Sequence, residues 1–309
     1  MPHLRDYLRE VLLVANPISG GGRAGVYLDV AADRLRRRGS NVHVVRTTGR
    51  GDALEAARGF RGGLLLAVGG DGTINELLNG MRLEDCALAV VPAGTGNVFA
   101  KELGLLALDP LKALRRIESG RLVRLDLGLC NGRRFACMFG AGFDAHVVDL
   151  IHRRRGRRLT QFHYAAPAVR AILKLEQWDI RVTVDGAPFA RAADQVCAGN
   201  TRSYGGPLSL TSAASPTDGL LDVMATRFGF LLDAVSPCLA TLLHSTHGCP
   251  AVRYGRGVRV EVTSSRRDAP WQVDGDFAGY LPATIELEPG RVTAVAAADA
   301  RLGAAVARA

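Results

Sequence analysis

At 309 residues, with 48% hydrophobic and 22% charged residues, the chain has the composition of a folded protein of about two domains, which excludes a disordered one. The longest apolar stretch, Phe228–Leu243, is interrupted by Asp233 and Pro237, and no basic-then-apolar segment opens the chain; neither a membrane span nor export is expected, and the protein reads as cytosolic. A net charge of +9 favours anionic partners such as phospholipid headgroups or nucleotides; nucleic acid is disfavoured, because the charge is dispersed and no aromatic reading motif accompanies it.

The N-terminal part repeats a strand, a polar glycine-rich turn and a helix. Val11–Ala15 is an unbroken apolar run leading into Asn16-Pro17-Ile18-Ser19-Gly20-Gly21-Gly22, after which Tyr27, Val30, Ala31 and Leu35 mark a helix face ending at Gly39. Val42–Arg46 delivers Thr47-Thr48-Gly49 and a helix with Leu54, Ala56 and Ala57. Leu64–Val68 delivers Gly69-Gly70-Asp71-Gly72-Thr73, and Ile74, Leu77, Leu78 and Met81 mark the next helix. Ala87–Val91 delivers Pro92-Ala93-Gly94-Thr95-Gly96-Asn97 and a helix around Phe99 and Leu103. Apolar runs without alternation suit strands buried on both faces. Their regular alternation with helices predicts a parallel sheet, with all four polar loops at the carboxyl edge where such sheets bind ligands.

The third loop carries the most chemistry. Its glycines allow close backbone approach, and a helix N-terminus attracts phosphate. A carboxylate beside phosphate repels it unless a cation intervenes, so Asp71 points to Mg²⁺ held with a nucleotide; the alternative is an Asp that merely caps its helix. Gly20, Gly22 and Gly25 also satisfy the G-x-G-x-x-G dinucleotide pattern, but Arg46 stands where ribose binding calls for an acid, leaving only an NADP enzyme on that reading.

From about Arg121 the texture changes. Leu122–Leu129, Phe135–Phe139, Ile180–Val184, Val258–Val262 and Thr284–Leu287 are strand-like, and Asp185-Gly186 is a hairpin turn. An antiparallel sandwich or open barrel is expected, interrupted by two helical stretches, Thr160–Leu175 and Phe228–Leu243, whose apolar spacing reads as core packing. Arg153-Arg154-Arg155 with Arg157-Arg158 reads as a solvated face that could also meet an anionic membrane in a salt-sensitive manner. The closing segment, about 295–309, reads as a strand and short helix packing back on the first domain, so the expected division is 1–125 and 126–294. The six cysteines form no CxxC pair, which suits a reducing compartment, and His244, His247 and Cys249 lack a fourth zinc ligand.

Taken together, Asn16-Pro17-x-Ser19-Gly20, Gly69-Gly70-Asp71-Gly72-Thr73 with Asn75-Glu76, and Pro92-x-Gly94-Thr95-Gly96-Asn97 resemble the catalytic region of the diacylglycerol and sphingosine kinase family, particularly its soluble bacterial lipid kinases. Gly140-x-Gly142-Phe143-Asp144, Gly199-Asn200 with Gly205-Gly206-Pro207, Asp218-Gly219-Leu220-Leu221-Asp222 and Val273-Asp274-Gly275-Asp276 continue the resemblance in the family's order. It implies a Rossmann-like α/β domain followed by a mostly antiparallel β-sandwich, and ATP-dependent phosphorylation of a lipid hydroxyl. It also implies Asp71 organising Mg²⁺ and phosphates, Asn16, Thr47, Gly70, Gly72, Thr73, Glu76, Gly94 and Thr95 around the nucleotide, and Asp274 as the base facing the acceptor. A second Mg²⁺ near Asp218 and Leu220, completed by backbone carbonyls, is implied as well. From the residues alone, Asp274 and Asp218 are equally Asp-Gly turns. A lipid alcohol is the implied substrate, transient contact with an anionic membrane is expected, and a homodimer is compatible with the sequence.

Two departures bear on activity. Asp276 stands where the family often has Glu, and its shorter carboxylate is expected to lower or alter activity. Val98 replaces an Asp that commonly follows Gly-Thr-Gly-Asn, which removes a helix-start acceptor. The alternatives are NAD kinase, which shares the Gly-Gly-Asp-Gly motif but has Gly-Phe-Leu and Thr-Gly-Ser segments not evident here, and a nucleotide- or lipid-binding regulator with weakened chemistry.

Overall fold

Strands that are apolar throughout can be covered on both faces, and four of them build the first part of the chain. The computed structural model describes residues 3–107, 109–152, 176–204, 208–228 and 235–302. The chain divides into two units, Met1–Leu125 with Gly290–Leu302, and a second built on Asp126–Pro289.

In the first unit a short helix α1 (Leu4–Tyr7) precedes β1 (Glu10–Ala15), α2 (Arg23–Arg37), β2 (Asn41–Arg46), α3 (Asp52–Gly59), β3 (Gly63–Gly69), α4 (Asp71–Gly80), β4 (Cys86–Pro92), α5 (Val98–Glu102) and α6 (Pro110–Glu118). The strands pair in parallel in the order β2-β1-β3-β4, and Thr293 and Ala294 add in parallel beside Ala87 and Leu88. Every residue of β3 and β4 is buried, including Leu64, Leu65, Leu66 and Leu88, each contributing roughly 1.5–3 kcal/mol of apolar burial. The helix face of α2 differs from expectation. Ala24, Leu28, Ala31, Ala32 and Leu35 are buried while Tyr27 and Val30 are half-exposed, because the small alanines let the helix approach closely and push the larger side chains to the flanks. On α3 the expected helix is present, with Ala53 and Ala57 turned inward. Arg34 on α2 pairs with Glu118 on α6 at 2.6 Å.

The second unit contains β5 (Arg121–Cys130), β6 (Arg133–Phe135), β7 (Met138–Gly142), α7 (Phe143–His152), β8 (Ile180–Val184), β9 (Ala187–Ala193), β10 (Gln195–Gly199), β11 (Leu221–Thr226), α8 (Val235–Leu242), β12 (Val252–Gly257), β13 (Arg259–Ser264), β14 (Pro270–Val273), β15 (Asp276–Tyr280) and β16 (Ala283–Ala296), the ends of β5 and β16 belonging to the first unit. One sheet runs β12-β11-β10-β7-β14-β15, antiparallel throughout. The first half of β16 pairs antiparallel with β13, followed by β8 and β9. Phe139, Val196, Val223, Trp271 and Val273 from one sheet meet Val182, Val260, Val262 and Ile285 from the other in a single apolar core, which makes this unit a sandwich rather than an open barrel.

Three expectations change here. Phe135–Phe139 is not one strand but β6 and β7, separated at Ala136 and Cys137, whose N–H groups turn to the Asp274 carboxylate. Within Phe228–Leu243 the described helix is α8, and Leu239, Leu242 and Leu243 are exposed rather than packed in the core. The Arg153–Arg158 cluster, the Thr160–Leu175 stretch and Gly205-Gly206-Pro207 lie outside the described residues. No described helix is long and apolar enough to cross a membrane.

Candidate functional site

Parallel register brings the loops of the first unit level with one another: Ala15 lies beside Arg46 and Val68, and Gly69 beside Pro92. Beyond β2, Thr47 is buried and its N–H donates to the Ala15 carbonyl at 2.8 Å; beyond β4, the Ala93 N–H donates to the Gly69 carbonyl at 2.9 Å. Asn16 closes its own turn, accepting the Ile18 N–H on Oδ1 at 3.2 Å. Contact between the loops depends on missing side chains. A Cβ on Gly20, whose φ is +61°, would lie 1.9 Å from the Ala93 carbonyl oxygen, and one on Gly94 would lie 2.5 Å from the Gly70 Cα. Thr73 sits behind Gly69, with Oγ1 2.9 Å from where a Cβ there would be, and Gly72 and Thr95 are exposed.

Asp71 does not cap its own helix. Gly70 is the extended N-cap of α4, and the Asp71 carboxylate accepts the N–H groups of Val98 and Phe99, at 3.1 Å each, at the start of α5. It thereby supplies across the sheet edge the acceptor that Val98 lacks in sequence. Asn97, at φ +49°, folds back to bond both the N–H and the carbonyl of Gly94 at 2.9 Å. Glu76 reaches from α4 to the start of α3, accepting from Gly51 N at 3.1 Å and Ala53 N at 3.2 Å. The Asp52 carboxyl is held below its ordinary range by the backbone N–H groups of Thr48 and Gly49 and by the Thr48 hydroxyl. The loops are thus locked by carboxylates behind them and lined by glycine, a cradle that suits phosphate and, through the hard oxygens of Asp71 and Thr73, a cation such as Mg²⁺. Arg46 pairs with Asp29 at the exposed surface.

In the second unit Asp274 and Gly275, at φ +49° and +82°, form the two-residue turn between β14 and β15. The turn reading is therefore correct, but it is incomplete. The Asp274 carboxylate accepts three backbone N–H groups, from Ala136 at 2.9 Å, Cys137 at 2.8 Å and Met138 at 3.0 Å. Asn200 braces the same segment, donating Nδ2 to the Ala136 carbonyl at 2.8 Å. Asp276 opens β15 and pairs with Arg133 at 3.2 Å. Neither Arg133 nor Gln272 carries a motif in the sequence; Gln272 is marked only by its place on β14, the strand that leads into the Asp274–Gly275 turn.

Asp218 lies in a turn, accepting the Leu220 N–H at 3.2 Å, with Arg256 4.0 Å away; Gly219 donates to Asp126 at 2.9 Å. Burial pushes the Asp218 carboxyl up, Leu220 and Arg256 draw it down, and Asp126 raises it again. Nearby Asp222 is also pushed up by burial, bonded to Tyr254 and Arg256 through Oδ1, with Oδ2 buried and unpartnered. Among the described residues no three His, Cys, Asp or Glu side chains converge as metal ligands. The donor chemistry is instead the Asp218 carboxylate with Asp126 and Asp222 nearby, hard oxygens of the kind Mg²⁺ takes. His247 hydrogen-bonds Ser212, and Cys249 bonds Ser236.

Residues 10–130 match the diacylglycerol kinase catalytic domain, and residues 137–296 match the YegS C-terminal NAD kinase beta sandwich-like domain. The chain is 33% identical to a diacylglycerol kinase of Mycobacterium tuberculosis over 92% of its own length and 94% of that protein's. It is 28% identical to a diacylglycerol kinase of Bacillus subtilis, over 89% and 92%. Among solved structures, a diacylglycerol kinase from Bacillus anthracis superposes with a TM-score of 0.72 at 22% identity, covering 95% of this chain and 98% of that one. Yeast NADH kinase shares the fold more distantly, with a TM-score of 0.55 at 12% identity, covering 96% and 84%.

Proposed function

Because this chain belongs to the diacylglycerol kinase family of lipid kinases, we propose that it transfers the γ-phosphoryl group of ATP to the hydroxyl of diacylglycerol, a sphingosine-like lipid or a related lipid alcohol. The observation that carries the reading is the Asp274 carboxylate, fixed by three backbone N–H groups at the tip of a hairpin. A carboxylate so held accepts the acceptor's proton as the hydroxyl oxygen bonds to the γ-phosphorus and the bond to ADP breaks. Phosphoryl transfer asks for positioning and charge neutralisation more than covalent help, which suits a rigid aspartate.

In the first unit, Gly70, Gly72, Thr73, Gly94 and Thr95 form the phosphate cradle, with Asn16 and Thr47 at its margin. Glu76 holds the α3 end of the wall, and Asp71 orders the loop that ends in Asn97. Asp71 would hold a Mg²⁺ ion bound with the phosphates, which would neutralise their charge. Asp276, steadied by Arg133, assists as the shorter counterpart of a glutamate. Asp218, with the backbone at Leu220, would hold a second Mg²⁺ that steadies the sandwich. Contact with an anionic membrane is supported by the net charge of +9, by a concavity of about 490 Å³ lined by Arg191, Arg227 and Arg253, and by the exposed leucines of α8.

The test is an acceptor panel. Purified protein with Mg²⁺-ATP is given micellar diacylglycerol, sphingosine, monoacylglycerol and, separately, NAD, and products are read by mass spectrometry. A phosphorylated lipid is expected. Phosphorylated NAD would favour the NAD kinase reading, and ATP binding without any product the regulator.

A further inference from the structure

We propose that Asp144 is a positioning residue for the base, acting through Gln272 to hold the Asp274–Gly275 turn in its working orientation. The inference rests on the assignment of Asp274 above. Gln272 on β14 lies opposite Gly140 on β7, and its side chain is fully buried. Its Nε2 donates to Asp144 Oδ2 at 2.8 Å, and its Oε1 accepts the Gly275 N–H at 2.7 Å. The other oxygen of Asp144, itself 5% exposed, accepts the Tyr204 hydroxyl. A continuous hydrogen-bonded path therefore runs from Tyr204 through Asp144 and Gln272 to the residue following Asp274.

The path has a polarity that both of its ends impose, the Gly275 N–H calling for the amide oxygen and Asp144 for the amide NH₂. An amide has a donating end and an accepting end. A carboxylate fixes the NH₂ end of Gln272 toward α7, which leaves the oxygen for Gly275. With the amide reversed, the NH₂ group would face the Gly275 N–H, donor against donor, leaving two buried polar groups unpaired. Gly140 is the third part of the device. A Cβ there would lie 2.0 Å from Asp144 Oδ2 and 2.6 Å from Gln272 Nε2, in the space the bond occupies. This gives Gly140 and Asp144 a shared physical reason within the Gly140-x-Gly142-Phe143-Asp144 segment.

A charge swap tests the polarity. Asp144→Asn, Gln272→Glu and the double variant are compared with the wild-type chain for kcat, KM for Mg²⁺-ATP and melting temperature, using the micellar lipid that the wild type phosphorylates. Asp144→Asn replaces the carboxylate by a weaker acceptor whose own NH₂ competes with its oxygen for the Gln272 NH₂, and Gln272→Glu sets two carboxylates against each other; each is expected to lower kcat by about 10²-fold while KM for ATP stays within twofold, since the ATP cradle is untouched. In the double variant the asparagine amide introduced on α7 donates to the glutamate introduced on β14. The second oxygen of that glutamate still accepts from Gly275, so kcat returns to within a fewfold of wild type.

Asp144→Asn is close to isosteric, and Tyr204→Phe, which leaves the Asp144–Gln272 bond intact, provides a second folded reference expected to keep kcat within tenfold. Full kcat in Asp144→Asn would overturn the proposal. So would a double variant no faster than the slower single one, or losses that follow the melting temperature and raise KM for ATP equally. Absence of lipid product from the wild type itself would remove the parent reading and this one together.

Discussion

The carboxylate of Asp71 closes the start of a helix 27 residues further along the chain, taking the N–H of Val98 at 3.1 Å as it takes that of Phe99. One residue thus belongs to two loops of the phosphate cradle. Removing it in Asp71→Ala is expected to cost about 1–2 kcal/mol of stability, as loss of a helix cap does, and to abolish ATP turnover. Adding Val98→Asp to that variant restores an acceptor at the helix start. Urea unfolding should then recover part of the stability with no recovery of activity. Recovery of activity along with stability would reduce Asp71 to a cap.

Loop contact through glycine makes a steric prediction. In Gly94→Ala the new methyl would lie 2.5 Å from the Gly70 Cα, so the two loops must part; calorimetric ATP affinity is expected to fall at least tenfold. Gly49→Ala meets nothing within 4 Å and is expected to leave affinity unchanged. Equal effects of the two would mean that the cradle does not bind the nucleotide.

The acidic turn at Asp218 is expected to take Mg²⁺ without any nucleotide. Millimolar Mg²⁺ should raise the melting temperature of the wild type, since an ion bound only by the folded state stabilises it. The rise should vanish in Asp218→Ala. An unchanged wild-type melting temperature in Mg²⁺ would leave the counter-charge at that turn to Arg256.

Buried thiols set an alkaline limit. Burial pushes Cys86 from 9.0 up to about 11 and Cys130 from 9.0 up to about 12. Both values are raised in the folded state, so the stability they contribute is complete below about pH 9 and is lost as pH rises toward 11 and 12. The loss is roughly 1.4 kcal/mol per thiol for each pH unit of that window. Urea midpoints at pH 7.5 and 10.5 should separate more for wild type than for Cys86→Ala/Cys130→Ala. At pH 7.5, iodoacetamide should label Cys238 and Cys249, not the four buried cysteines.

Much of the first unit was legible because its strands are continuous apolar runs and its loops are punctuated by glycine. What the pattern could not convey was partnership across the fold. Asp71 reads as a carboxylate that organises Mg²⁺, or alternatively as the cap of the helix it begins, and only the folded chain brings it to Val98. The face of α2 was misjudged by one residue because alanine carries little weight in an apolar pattern yet allows the closest approach to a sheet. In the sandwich, β10 and β11 are buried along their whole length and include Gln195 and Asp222, so neither alternation nor an unbroken apolar run marks them. Asp274 is visible through its motif; Gln272, whose side chain accepts the Gly275 N–H, has no signal except its place on the strand leading into that turn.

The most direct measurement is single-turnover phosphorylation of a micellar lipid alcohol by wild type and Asp274→Asn at equal ATP occupancy. The account predicts a phosphorylated lipid from the wild type and a rate at least 10²-fold lower in the variant, with ATP affinity unchanged. A variant as fast as the wild type, or a wild type that phosphorylates NAD and no lipid, would contradict it.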